Sequence, residues 1–152
     1  MKIESVEALI EWTKSVHGNL ALCLRDAAPT EPEERARQLL DYLAGHEQRL
    51  ENIIAGFEAQ GDPRALHTLV YDYDMHPPIV AGELCDKPWH SMTFDQISEQ
   101  VFAVHNQVIE LYRYLIGRSA IPEELELLEA LLDAEQNETR QMAQQLNRGR
   151  DM

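Results

Sequence analysis

The chain can be laid on itself with a shift of 88 residues and no gap, and this internal match limits the possible fold more than any other feature. At that offset Glu11/Glu99, Val16/Val104, His17/His105, Arg25/Arg113, Leu39/Leu127, Leu40/Leu128, Leu43/Leu131, Glu47/Glu135 and Gln48/Gln136 coincide. Leucines fall together readily between any two helical segments. The matches His17/His105 and Glu47/Glu135 are more telling, because they fall where a helix facing a core calls for an apolar residue. In each half the His and the Glu stand thirty residues apart. A doubled helical hairpin with one His and one Glu per half points to a metal site on a pseudo-twofold axis.

Hydrophobic periodicity predicts four helices, at about 3–25, 33–59, 94–117 and 122–147, in a single domain over 1–148 with a frayed tail at 149–152. Val6, Ile10, Leu20 and Leu24 share one face of the first. Leu40, Leu43, Leu50 and Ile54 do so on the second, which opens at Thr30 or the Glu31–Glu34 run and stops near Gly61-Asp62-Pro63. Thr93 is a fitting N-cap for the third, whose inward series is Ile97, Val101, Val104, Val108, Leu111 and Leu115; Gly117 ends it. Pro122-Glu123-Glu124 opens the fourth. Helices one and two, and three and four, are joined by short loops, whereas residues 60–93 form a crossover holding Pro63, Pro77, Pro78 and Pro88, with a short helix expected over 64–73. The expected fold is all-α: two helical hairpins joined by a long crossover.

Composition narrows the function classes. A formal charge of −14 argues against nucleic acid, whose binding needs clustered Lys and Arg, and against an anionic membrane surface. It suits a protein that attracts cations, and equally one that merely stays soluble. No apolar run approaches the roughly 20 residues of a membrane span, and Met-Lys-Ile-Glu-Ser-Val-Glu mixes charges too early for a secretory signal. Cys23 and Cys85 stand far apart, outside any C-x-x-C pair, so neither a disulfide framework nor a thiolate metal site is expected, and a reducing cytoplasm is the natural compartment.

On the heptad grid Glu47 takes a core position between Leu43 and Leu50, and Glu135 does the same between Leu132 and Thr139 and Met142. His17 follows Thr13 and precedes Leu20; His105 lies between Val101 and Val108. All four are near mid-helix and should share one level of the bundle. Burying two carboxylates costs several kcal/mol per ion unless something offsets it. Protonated histidines, protonated carboxyls or a bound cation would do so, and a divalent metal satisfies two imidazoles and two carboxylates at once. His46, Glu51 and Glu138 lie close enough in sequence to extend the set. Four ligands suit one ion; six or seven would suit two. A His and carboxylate mixture without thiolates points to iron, manganese or zinc alike.

This combination of connectivity and mid-bundle His and Glu resembles the ferritin-like four-helix proteins, the broad group that includes rubrerythrins and bacterioferritins. The resemblance covers the four helices and implies a metal-binding protein with iron-dependent chemistry toward oxygen or peroxide. In that group a two-metal site takes a Glu from each of two helices and a Glu-x-x-His from each of the other two. Here His17 and His105 stand where the lone carboxylates would be, Glu47 keeps half of its helix's motif, and Glu135-x-x-Glu138 ends in a carboxylate. Haemerythrin, another His-bearing bundle, expects His-x-x-x-Glu and His-x-x-x-His; His46 to Glu51 is one residue too long, and position 109 is Ile.

The alternative reading is a non-catalytic helical interaction module in which buried His–Glu pairs fix helix register. It would work through a partner or a homodimer, with Trp12, Tyr42, Trp89 and Tyr114 as candidate surface anchors. His67, His76, His90 and Cys85 match no structural zinc spacing and are expected in solvent. Tyr71-Asp72-Tyr73-Asp74-Met75-His76 lacks the Gly and closing Glu of a calcium loop and is expected to anchor aromatics on the bundle. Neither a P-loop, a G-x-S-x-G elbow nor a dinucleotide fingerprint is present.

Overall fold

In the computed structural model, which describes residues 3–70 and 78–150, four long helices form the bundle. They are α1 (Val6–Ala27), α2 (Glu34–Gln60), α4 (Phe94–Ile116) and α5 (Pro122–Arg150), with a single turn, α3 (Pro63–Leu66), in the crossover. A shift of 88 residues carries Val6 and Glu34, the first residues of α1 and α2, onto Phe94 and Pro122, the first residues of α4 and α5. The two hairpins are thus in register, α1 packing along α2 and α4 along α5, and they meet mainly through α2 and α5.

Local chemistry sets the ends. Thr93 accepts from the Gln96 amide while the Gln96 side chain accepts from the Thr93 N–H, a reciprocal capping box that fixes the start of α4. The C-cap Gly117 closes it, its N–H reaching the Arg113 carbonyl. α1 begins at Val6 and not at Ile3, although Ile3 is buried. The backbone there is already committed: Val6 N–H donates to Thr68 O and Val70 N–H to Glu4 O, an isolated antiparallel pairing, and Ser5 caps the helix from an extended conformation.

α1 is buried on two sides. Leu9, Ile10, Val16, Leu20 and Leu24 face the bundle core, while Trp12 and Cys23 meet the crossover. There, 3-10 turns at Ala81–Asp86 and Trp89–Ser91 bury Leu84 and Trp89. The Trp12 indole donates to Ile79 O (2.9 Å) and that of Trp89 to Leu84 O (2.8 Å).

Three sequence expectations change. Cys23 and Cys85 form a disulfide, with Cα atoms 5.1 Å apart, because the crossover folds back along α1. A separation of 62 residues conceals this in the sequence, and the cysteine argument for a reducing compartment no longer applies. Trp12 and Trp89 are buried rather than surface anchors, since the crossover supplies a second apolar layer; Tyr42 is half-buried and Tyr114 exposed. Among the described residues, the short helix expected over 64–73 is the four residues of α3, where Asp62 accepts from the Arg64 N–H. His67 and His90 are exposed; Tyr71, Tyr73 and His76 lie outside the described residues. Among the described residues no helix is long and apolar enough to cross a membrane.

Candidate metal centre

Each long helix delivers one polar side chain to the middle of the bundle: His17 from α1, Glu47 from α2, His105 from α4 and Glu135 from α5, all 0% exposed. The apolar stripes that bury these helices carry them inward, so their placement follows from helix packing. His17 donates from Nδ1 to Glu47 Oε2 and from Nε2 to Glu135 Oε1, both at 2.6 Å. His105 Nε2 donates to Glu47 Oε1. The two imidazole rings lie 5.3 Å apart, edge to face. One ligand atom each from His17, Glu47 and His105 falls within 4.8 Å of the others, a grouping that could hold a single ion.

The 88-residue shift relates part of this network to itself. His17 Nε2 on Glu135 Oε1 and His105 Nε2 on Glu47 Oε1 are mates: each histidine reaches across to the glutamate of the other hairpin. At Nδ1 the equivalence ends. His17 Nδ1 meets Glu47 of its own hairpin, but His105 Nδ1 donates to Thr139 Oγ1 (2.8 Å), whose own proton goes to the Glu135 carbonyl (2.7 Å). Thr139 has taken the place Glu135 Oε2 would fill in a symmetric centre. Glu135 Oε2 is accordingly buried with no hydrogen-bond partner among the described residues. The residue equivalent to Thr139 in the first hairpin is Glu51.

Charge balance explains how this assembly tolerates burial. Desolvation pulls the His17 imidazole down, but the charges of Glu135 and Glu47 and the hydrogen bonds to them outweigh it and raise its pKa to about 10. Burial likewise pushes Glu47 up, and His105 and His17 more than reverse that, bringing it to about 2. Assigned from the hydrogen-bond network, both nitrogens of both rings act as donors, matching two carboxylates.

Beside this ring the buried Tyr112 hydroxyl donates to Thr13 Oγ1 (2.7 Å), which donates in turn to Leu9 O (3.0 Å). Burial, then the nearby Glu135 charge, raise the Tyr112 hydroxyl well above its ordinary pKa, only partly offset by the Thr13 contact. The periodicity reading placed Leu111 inward; Tyr112 is the fully buried residue, and Leu111 is half-buried. A Thr four residues beyond Glu135 in the inward series was the available signal for Thr139. None existed for Tyr112.

The remaining candidates do not join the ring. His46 donates to Glu138 Oε2 (2.9 Å) in the seam between α2 and α5, with Arg49 3.7 Å from Glu138 Oε1 and the Tyr42 ring 4.6 Å from the imidazole. Adjacent helical residues are turned about 100° from each other, so His46 cannot share the direction of Glu47. Glu51 is half-buried against α1 at Gly18, where an added Cβ would stand 2.6 Å from its Oε2.

No family model matches the chain, and no curated protein matches it in sequence. Among solved structures, one from Thermotoga maritima described as a ferritin-like diiron-carboxylate protein matches with a TM-score of 0.61, covering 97% of each chain. The fold is ferritin-like. At 13% identity the likeness carries the fold alone. His17, Glu47, His105 and Glu135 fit an ion. Imidazole and carboxylate together are a donor set for first-row divalent metals, and Glu135 Oε2 is a buried carboxylate oxygen without a proton donor among the described residues.

Proposed function

We propose that this chain is a metal-binding ferritin-like protein that holds one transition-metal ion at mid-bundle through His17, Glu47, His105 and Glu135. Iron is the first choice, with manganese or zinc as alternatives. The observation that carries the reading is the unpartnered Glu135 Oε2 in a fully buried ring of two imidazoles and two carboxylates. His46 and Glu138 satisfy each other elsewhere, which favours one ion over two. Each imidazole can give one nitrogen to an ion and keep the other on an orienting acceptor: Thr139 for His105 and a glutamate for His17. An iron ion held there would supply redox chemistry toward oxygen or peroxide. The protein's own part is to exclude bulk water, set the ring orientations and release imidazole protons when the ion enters.

A second reading rests on a specific observation too: each of the four imidazole nitrogens already meets an oxygen of the protein, which suits a structural device in a helical interaction module or homodimer. The exposed large apolar side chains Leu22, Leu69, Val80 and Tyr114 would then carry the contacts.

Elemental analysis by mass spectrometry, on protein purified without chelators and again after incubation with Fe(II), Mn(II) and Zn(II), separates the two. We expect one equivalent per chain in the native protein and a loss of binding in His17→Ala/His105→Ala with helical content retained. Persistent absence of metal from the native protein would leave the pairs structural and turn attention to association.

A further inference from the structure

We infer that the Cys23–Cys85 disulfide is a redox latch that holds the crossover on α1 and that a dithiol reductant can open it without unfolding the bundle. The two sulfurs are unequally placed: Cys23 is 5% exposed on a long helix, whereas Cys85 is exposed in the Ala81–Asp86 turn. A thiolate arriving from solvent therefore attacks Cys85 Sγ. The Cys85–Cys23 bond breaks, a mixed disulfide forms at Cys85, and Cys23 leaves as a thiolate that takes a proton from water. The second sulfur of the dithiol then attacks the first and releases Cys85 as a thiol. Two electrons and two protons have passed to the protein, and the dithiol has become a disulfide.

Residues 78–91 are short 3-10 turns and coil. Among the described residues their other ties to the bundle include the Trp12 indole on Ile79 O, the Lys87 ammonium on Gln100 Oε1 of α4 and the buried side chains of Ile79, Leu84 and Trp89. The Trp89 indole on Leu84 O ties the segment to itself. The disulfide is the one covalent tie among them, and it fastens the crossover to the helix that carries His17. Between this segment and α4 lies a cavity of about 610 Å³, bounded by Pro78, Leu84 and Lys87 on one side and by Gln100, Val104 and Gln107 on the other. Opening the latch widens that cavity between the crossover and α4.

The test is built into the molecule, because its only two tryptophans, Trp12 and Trp89, both donate to crossover carbonyls. Metal-free native protein is titrated with dithiothreitol while tryptophan emission wavelength, acrylamide quenching and far-ultraviolet circular dichroism are followed. Wavelength and quenching are read because a disulfide itself alters emission intensity. We expect a red shift and a roughly twofold or greater rise in the quenching constant with helical signal unchanged, the signature of local rather than global opening. Cys23→Ser/Cys85→Ser should give the same spectrum without reductant. Three results overturn the inference: quenching unchanged once the bond is open, helical signal falling together with the tryptophan shift, or a bond that resists dithiothreitol until the protein is denatured.

Discussion

At the scale of single residues, His17 and Glu47 hold opposite ends of one electrostatic arrangement, and pH should read both. The His17 pKa is raised from 6.5 to about 10, so its contribution to stability is complete below 6.5 and is lost as pH climbs through the folded value. Glu47 is depressed from 4.5 to about 2, so its contribution is present above 4.5 and is lost as pH falls through 2. Metal-free protein should therefore melt highest between pH 4.5 and 6.5 and lose Tm progressively from 6.5 toward 10, as differential scanning calorimetry across that range would show. Loading the ion should flatten the alkaline loss, since a ligating imidazole nitrogen carries no proton. Gly18 gives a second residue-scale prediction. Its added Cβ would meet only the far end of the flexible Glu51 side chain, so Gly18→Ala should gain helix propensity of up to about 1 kcal/mol. Chemical denaturation measures this, and metal content should stay unchanged because Glu51 lies outside the ring. Lost metal in Gly18→Ala would return Glu51 to the ligand set.

At the scale of elements, what the sequence disclosed and what it hid divide along a physical line. Helical periodicity is local, and it revealed the two hairpins, their long crossover and the polar intrusions at His17, Glu47, His105 and Glu135. The pairings were not legible, because which nitrogen meets which carboxylate depends on how the two hairpins dock, as His17 and Glu135, 118 residues apart, illustrate. The crossover was least legible. Its turns carry no period, so neither the burial of Trp12 and Trp89 nor the Cys23–Cys85 bond could be read from spacing. That bond joins residues 62 positions apart, and disulfides typically contribute about 2–4 kcal/mol, the upper end applying to so long a loop. Cys23→Ser/Cys85→Ser should lose that much in a urea titration, with the four long helices still formed at zero denaturant.

At the scale of the whole molecule, a strongly acidic chain encloses a centre in which His17 and Glu47 offset each other's charge, so long-range attraction of cations belongs to the surface. The ferritin-like frame supplies four helices at one level, and the duplicated register supplies matched histidines and glutamates. Thr139 departs from that match by occupying His105 Nδ1 and leaving Glu135 Oε2 alone. Two identical halves would have given a visitor two equivalent seats and no reason to choose between them. With one threonine in the second half, the interior acquires a front and a back, a saturated wall on one side and an open lone pair on the other, so an ion would find one seat there rather than two.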